Sequence, residues 1–410
     1  MVDIADTAMV RRASMKDAVA PRVPVALPGY GPLAAVATEP WRALSERAIE
    51  PNGYYLPEWA HAVNASARGR IDASALSAWS NSSPAQMTGL MPIISMWRAW
   101  KIPLPVFVSA DPYGTLCTPL LDRDNAESAA LQIMQQARQA GAHALILRAV
   151  TLDGAAMKAF REELRRDGIR PRLLQSHLRA SLDARLDADE LLRDALGAKK
   201  LKELRRQRNR LAELGAVSFH VARTPSEVAA AAEIFLELEA SGWKSQRGTA
   251  LLQDVGDAAF VRRAAVELAE TSNCEIVTLR AGDTPVAAGI VLRHQDRAFF
   301  FKLGVDERYA KLSPGVQLTL DLTRHLCADP AIAFADSTAA PDHPMINPIW
   351  RGRLAIGDVL IPLRRHDPVV ALIRASLALR QAIREPARRA VHFIRQRQEN
   401  RQQEHREKSS

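Results

Sequence analysis

An α/β (α+β) protein of two similar halves is predicted by three observations. Apolar, strand-like runs alternate with amphipathic helical runs along the chain, which implies helices layered on sheets. The second half repeats the strand and helix content of the first without an exact sequence repeat. In that half, strand-like runs at 275–281, 285–293 and 297–305 are separated only by Gly282-Asp283 and by His294 to Asp296, the spacing of an antiparallel meander with short hairpin loops. Each half is expected to hold a mixed, largely antiparallel sheet flanked by helices, with a basic helix at the C-terminus.

The elements follow in order. Residues 1–38 carry Ala, Val and Pro with no continuous apolar core behind Arg11, Arg12 and Lys16, and read as a loosely ordered leader rather than a secretory signal. Residues 40–67 read as helix and loop with a turn at Pro51-Asn52-Gly53, and 86–97 as a strand. The stretch 101–118 is rich in Pro. Residues 126–140 form a helix with few breakers, 142–150 a buried strand, 157–167 a helix and 176–182 a strand. A basic helix runs over 194–214 and ends at Gly215. A strand with alternating faces follows at 217–222. Thr224 caps a helix over 225–241, with Pro225 at its first position and Glu227 at its third. Another helix spans 257–269. After the meander, Ser313-Pro314-Gly315 opens an amphipathic helix over 316–327, and 332–337 is a last strand. Residues 367–410 read as Arg-rich helix that Pro386 kinks or splits. The expected division is a leader (1–38), an N-terminal half (39–190), a C-terminal half (191–366) and a basic tail (367–410).

Composition narrows the function. A chain of 410 residues with 47% hydrophobic and 25% charged residues is that of a globular protein of two or more domains. Three cysteines, Cys117, Cys274 and Cys327, form no CxxC pair, which argues against a structural zinc site or a disulfide framework and fits a reducing cytoplasm. Ten histidines show no metal-ligand spacing, so no metal is expected. No apolar run is long enough to span a bilayer. The net charge of +9 is concentrated: residues 193–210 hold eight Lys/Arg against two acids, and 364–410 hold twelve against five. The remainder is mildly acidic, so nucleic acid gripped along the whole surface is not the expected partner. GxSxG, Walker and Ser-His-Asp or Cys-His signatures are absent.

The stretch from Ala298 to Val305 followed by the Ser-Pro-Gly turn has a strand, a glycine turn and a helix N-terminus in succession. Free amides and the positive end of the helix dipole suit an anion there, such as a pyrophosphate. Several segments add a specific resemblance. Residues 241–250 (Ser-Gly-Trp-Lys-Ser-Gln-Arg-Gly-Thr-Ala), Leu312 to Gly315, Phe334-Ala335-Asp336-Ser337, Pro341 to Met345 with Trp350, and Asp111-Pro112-Tyr113-Gly114-Thr115 with Thr118 to Asp122 resemble the cellulose-biosynthesis-associated group of bacterial GNAT-type acetyltransferases. The likeness runs from about residue 90 to 363. The group is related to the Fem aminoacyl ligases, which are two GNAT-like halves packed together.

The resemblance implies a cytoplasmic N-acyltransferase moving an acetyl or related group from acetyl-CoA to an amine, by direct attack and without metal, in polysaccharide or cell-envelope metabolism. It places the CoA pyrophosphate on the turn Ser313, Gly315, Val316 and Gln317, although the family turn carries more glycine than Lys311 to Val316. Pro314 has no N–H, leaving Gly315, Val316 and Gln317 as possible donors. Asp336, ending the last strand, is the implied base for the amine. Lys302 alternates onto the face of Phe300 and Gly304, where it stabilises developing charge or reaches solvent at the strand edge. Glu239, Trp243, Lys244 and Arg247 are expected on the acceptor side, with His343, beside Asp342, in the next loop.

Two alternatives stay open. A Fem-like ligase would take an aminoacyl group from transfer RNA, for which the basic helix (Lys199, Lys200, Lys202, Arg205, Arg206, Arg208, Arg210) is suited; its stripe Leu201, Leu204, Leu211 and Leu214 is expected to pack on the body. A non-catalytic scaffold in envelope or exopolysaccharide assembly would use the Arg-rich tail as its handle. That tail, with Leu377, Leu379, Ile383, Val391 and Ile394, either packs on a neighbouring domain or lies on an anionic membrane surface. The acceptor and the oligomeric state are not legible.

Overall fold

The computed structural model describes residues 29–241, 248 and 250–383. Its frame is one sheet of thirteen strands, with twelve in the order β1-β2-β3-β4-β6-β13-β7-β12-β11-β10-β9-β8 and β5 paired to β3 alone. The N-terminal strands are β1 (Tyr30–Pro32), β2 (Ser74–Trp79), β3 (Met87–Ser95), β4 (Val106–Ser109), β5 (Leu120–Leu121), β6 (Ala144–Thr151) and β7 (Arg172–Asp183). The C-terminal ones are β8 (Val217–Ala222), β9 (Cys274–Ala281), β10 (Thr284–His294), β11 (Arg297–Val305), β12 (Phe334–Asp336) and β13 (Gly352–Pro362). The expected mixed α/β class of two halves is the class observed.

Each half builds four antiparallel strands and then adds a parallel one: β4 beside β6, and β11 beside β12. The halves then exchange strands. β7, from the first half of the chain, pairs with β12 of the second, and β13 pairs with β6 of the first. β7 and β13 pair antiparallel with each other at the middle of the sheet. A cut at residue 190 therefore separates the sequence but not the sheet. The strands at 352–362 and 74–79 are additions to the elements expected from the sequence.

The helices are α1 (Thr38–Glu46), α2 (Pro57–Ser66), α3 (Met96–Trp100), α4 (Ala126–Gln139), α5 (Ala155–Arg166), α6 (Ala188–Leu211), α7 (Pro225–Ala240), α8 (Val255–Glu270) and α9 (Pro314–Ala328). A last helix, α10, occupies 368–383. α7 begins with the capping box foreseen at Thr224 and Glu227. α6 starts earlier than expected, because Asp187 caps it, and it kinks at Gly197, whose φ is 69°. The basic run 199–210 lies wholly beyond that kink. Of its stripe, Leu204 and Leu211 are buried, Leu201 is half-buried and Leu214 is exposed.

The leader needs a correction at its end. Tyr30–Pro32 is an edge strand on β2, and Leu33 is buried in the core, so part of the expected leader belongs to the folded N-terminal half. Residues 1–28 lie outside the described residues, as do Pro386, Val391 and Ile394.

Hydrophobic clusters fill both faces of the sheet. In the C-terminal half one cluster lies under α7 and α8 and is shared with α2 of the other half (Tyr54, Trp59, Phe235, Phe260, Phe299). The opposite cluster lies under α6 and α9 (Leu204, Phe300, Leu318, Trp350). Polar bonds also tie the halves. His294 Nδ1 accepts from the Asn52 amide at 2.8 Å, while its Nε2 lies 2.8 Å from the Ser45 carbonyl. Burial lowers its pKa to about 4, so the ring stays neutral with one nitrogen accepting and the other donating. Among the described residues no helix is long and apolar enough to cross a membrane.

Candidate active site

The site forms where β11 and β12 part. They pair only over Arg297↔Phe334, Ala298↔Ala335 and Phe299↔Asp336. At the next residues the pairing of β11 with β10 also shifts: Val291 faces Phe300, Ile290 faces Lys302, and Phe301 is the extra residue of a β-bulge. A bulge bends its strand and re-aims the side chains beyond it. Phe299 and Phe301 pack into the α7–α8 cluster and Phe300 into the α9 cluster. Lys302 follows Phe301 onto the α7–α8 face, with Nζ 3.8 Å from Glu239 Oε1 and 5.5 Å from the Tyr113 ring centre. This corrects the expected face of Lys302. Strict alternation put it with Phe300 and Gly304; the bulge leaves it with Gly304 but on the face opposite Phe300.

Two glycines let helices close on this strand. A Cβ on Gly304 would stand 2.7 Å from the Glu239 backbone nitrogen, so the bare glycine allows α7 to lie directly on β11 and brings Glu239 beside Lys302. On the other face a Cβ on Gly315 would meet Leu303 at 3.0 Å and Val305 at 3.1 Å. Gly315 thus seats the start of α9 against β11.

That helix start keeps only part of the expected donor set. Ser313, at φ 51°, gives its amide to the Ala310 carbonyl at 3.0 Å. Gln317 is corrected: its amide bonds the Ser313 carbonyl at 3.0 Å, and its side chain donates to the Leu204 carbonyl of α6 at 2.8 Å. The amides of Gly315 and Val316 have no carbonyl within the helix to bond. No acidic residue stands in this first turn, and Lys311 closes the turn before it. Two directed amides at a positive helix end fit a phosphate group.

Asp336 sits differently from the position expected of a base. Its side chain is fully buried and ion-paired with Arg179, also fully buried, and its Oδ1 accepts from the Thr338 amide at 2.8 Å. Arg179 donates also to the Thr115 carbonyl and hydroxyl, at 2.7 and 2.9 Å. Thr115 Oγ1 donates to the Thr338 carbonyl at 2.9 Å, and Thr338 Oγ1 to the Phe300 carbonyl at 2.6 Å. A carboxylate with both oxygens held and no exposure faces no incoming amine. It pins the end of β12 to β7 and to the 110–118 segment, a placement that suits a brace rather than the exposed base expected at the end of the last strand. Thr338 holds a left-handed φ of 49°, a strain these bonds maintain.

The α7–α8 face carries the other polar groups. Glu239 is buried and accepts from the Leu251 amide at 2.8 Å. Tyr113, at φ 58°, donates to Asp257 at 2.7 Å and lies under the Arg70 guanidinium at 4.1 Å. Burial, then the Asp257 carboxylate, raises its phenol well above the ordinary range, so it stays protonated. Arg70 pairs with Asp111 at 3.1 Å. His343 is apart from this group: its Nδ1 accepts from the Met345 and Ile346 amides at 3.3 and 3.4 Å, which makes it the cap of a turn. Burial lowers its pKa. Trp243, Lys244 and Arg247 lie outside the described residues.

The structure therefore gathers Lys302, Glu239, Gly315 and Val316 about β11. Arg70, Tyr113, Thr115, Arg179 and Asp257 were not foreseen among the residues that surround the candidate site. Of these only Tyr113 and Thr115 carried a signal, within the Asp111 to Thr115 motif of the first half; the others are brought in by exchange of strands and packing of α2 on α8. Among the described residues no group of three or more His, Cys, Asp or Glu could hold a metal ion.

Residues 198–340, which contain β11, the parting strands and α9, match the acetyltransferase (GNAT) domain model. The chain carries a GNAT-type domain. No curated protein matches the sequence. Among solved structures, FemX superposes with a TM-score of 0.53 at 10% identity, over 82% of this chain and 98% of its own. The DUF2156 C-terminal domain of an Agrobacterium fabrum protein named for lysylphosphatidylglycerol synthetase gives 0.50 at 13% identity, over 83% and 96%. A conserved Bacteroides thetaiotaomicron protein of unknown function gives 0.51 at 8% identity, over 80% and 98%. At these identities the likeness concerns the fold, and it extends over both halves.

Proposed function

We propose that this GNAT-fold protein is an N-acyltransferase that takes an acetyl or related acyl group from acyl-CoA and passes it to an amine, in a polysaccharide or cell-envelope precursor. The observation that carries the reading is the bulge at Phe301, where β11 and β12 part. It separates a phosphate-ready helix start on one face (Gly315, Val316) from a polar wall on the other (Lys302, Glu239, Tyr113).

In this reading the amides of Gly315 and Val316 hold the pyrophosphate and the thioester lies in the gap beyond Phe299 and Asp336. The acceptor enters from the α7–α8 face. The amine nitrogen attacks the thioester carbonyl, the C–S bond breaks, and the proton that the nitrogen loses passes to the departing thiolate, which leaves as the thiol. Lys302 stabilises the negative charge that develops on the carbonyl oxygen. Glu239 fixes Lys302 in place. Asp336 and Arg179 hold the gap open without touching the reacting atoms.

The basic run of α6 favours a second reading. Lys199, Lys200, Lys202, Arg205 and Arg206 follow the Gly197 kink on the helix whose Leu204 carbonyl holds Gln317, so exposed cations flank the donor turn. An aminoacyl group carried on transfer RNA would use them. Titration with acetyl-CoA and with transfer RNA separates the two. Acetyl-CoA binding that Val316→Glu abolishes supports the first. Transfer RNA binding with a steep salt dependence, and no response to acetyl-CoA, replaces it with the second. The bracing role of Asp336 is tested by Asp336→Asn, which should lower stability but keep the shape of the pH–rate profile. Disappearance of one limb of that profile would restore Asp336 as the base.

A further inference from the structure

The register of the sheet breaks on both sides of one residue, Asp358. β13 lies between β6 and β7. Toward β6, Gly357 faces Val150 and Val359 faces Leu147, so Arg148 and Ala149 together oppose Asp358. Toward β7, Asp358 faces Gln175 and Val359 faces Leu173, which leaves Leu174 as the extra residue. Such bulges bend their strands and re-aim the side chains they carry. Ala149 holds a left-handed φ of 42°, a conformation costly for a residue with a Cβ. Between these bulges and α10 runs a groove of about 1060 Å³.

The charge of the groove is one-sided. Arg148 and Arg172 line it from the strands, and Arg374 and Arg380 from the side of α10 turned to the sheet. Buried Val370 and Ile373 fix the helix there, and Arg380 lies over the Trp100 ring at 4.8 Å. The carboxylate of the groove, Asp358, is taken by neutral donors, the Ala149 amide at 2.8 Å and the Gln175 side chain at 2.7 Å. Among the described residues no acid pairs with Arg148, Arg172 or Arg374. The adjoining hollow adds Arg170, Arg364 and Arg365, and its acid, Asp367, lies 2.6 Å from His143 Nδ1. Cations gathered in a cleft without counter-charge repel one another and draw in an anion. The planar guanidinium matches phosphate oxygens in pairs, and three such groups call for more than one phosphate. Leu173, Leu174, Ala371 and Ala375 give the same groove an apolar wall.

We propose that this groove binds a small organic diphosphate, with Arg148, Arg172 and Arg374 on its phosphate oxygens and the leucine and alanine wall against its organic part. The volume suits a molecule the size of a nucleotide. Asp358 shares its strand face with Ile356, which packs in the α7–α8 cluster, whereas α9 and its first turn pack on the opposite face of the sheet. The groove is therefore separate from the pyrophosphate position at Gly315 and Val316, and the assignment is independent of which donor the acyl-transfer site uses.

Calorimetric titration of the full-length protein with inorganic pyrophosphate and with ADP tests this. Wild type and Val316→Glu should bind both, ADP at least as tightly as pyrophosphate. Arg148→Gln/Arg374→Gln should weaken both about tenfold or more, while its melting temperature and acetyl-CoA affinity match the wild type. Arg172→Gln, at an exposed position, should reproduce part of that loss and serves where the double variant does not fold. The pyrophosphate measurements do not depend on acetyl-CoA binding. No binding of pyrophosphate by the wild type would overturn the proposal. Loss confined to Val316→Glu would also overturn it, since the anion would then sit at the start of α9. So would an equal loss in Lys200→Gln/Arg205→Gln on α6, which would show attraction by overall charge alone. Weaker binding of ADP than of pyrophosphate would overturn the organic diphosphate in favour of an inorganic anion.

Discussion

The two halves share a strand order and differ in what they do with their parallel pair. In the N-terminal half β4 and β6 pair over Val106↔Ala144, Phe107↔Leu145 and Val108↔Ile146, and the seam then continues through side chains and loop. The Arg148 amide bonds Ser109 Oγ at 2.7 Å and the Cys117 amide bonds the Ala149 carbonyl at 3.1 Å. In the C-terminal half β11 and β12 also pair at three positions, but a bulge follows and β11 runs on apart from β12. The helix starts differ in the same sense. α4 opens with Glu127, which repels an anion, whereas α9 opens with no acid at all. A duplicated frame thus yields one sealed half and one open half. The segment that seals the first, 110–118, also serves the second: Tyr113 reaches Asp257 and Thr115 reaches Thr338.

This comparison can be broken at graded points. The largest expected effect is at the brace. Arg179→Ala leaves Asp336 buried without its partner and should cost about 3–5 kcal/mol in chemical denaturation; a cost near zero would mean the pair does not hold the open seam. Lys302→Met should lower the rate of acyl transfer roughly 100-fold with acetyl-CoA affinity unchanged, as calorimetry and steady-state rates would show together. An unchanged rate would remove Lys302 from the reaction.

A smaller effect belongs to the weld between the halves. His294 is neutral when folded, with its pKa lowered to about 4, whereas the unfolded chain titrates near the ordinary value of about 6.5. Its contribution is complete above about pH 6.5 and falls as the pH drops toward 4, because only the unfolded state takes up the proton. Urea unfolding at pH 5.5 against pH 7.5 should show a loss of roughly 1.4 kcal/mol that His294→Gln does not show. Parallel pH dependence in both proteins would exclude this origin. The smallest effect lies in the sealed half: Ser109→Ala should cost about 1 kcal/mol for the lost hydrogen bond and leave the acyl-transfer rate untouched. A changed rate would show that the sealed half takes part in turnover.

Much of this architecture is written in local sequence. Thr224-Pro225 with Glu227 announces α7, the meander is marked by Gly282-Asp283, and the Ser-Pro-Gly turn announces α9, because caps and turns depend on neighbours a few residues away. The strand 352–362 lacks such a local sign, since its partners β6 and β7 lie more than 160 positions earlier. The face of Lys302 was misread because a bulge adds one residue between two otherwise regular alternations, and only the partner strand shows it. The role of Asp336 turned on Arg179, a residue of the other half carried across by strand exchange. Glu239 and Gly315 were expected about the candidate site, but what seats them, the close approach of helix backbone or side chains to β11, has no local sign.

The central claim is that donor binding belongs to the open half alone. Calorimetric titration of acetyl-CoA into the wild type, Val316→Glu and Ser128→Glu tests it most directly, since Val316 and Ser128 are both third in their helices, α9 and α4. The account predicts binding by the wild type and Ser128→Glu and none by Val316→Glu. Loss in Ser128→Glu with binding kept in Val316→Glu, or no binding by any of the three, would contradict it.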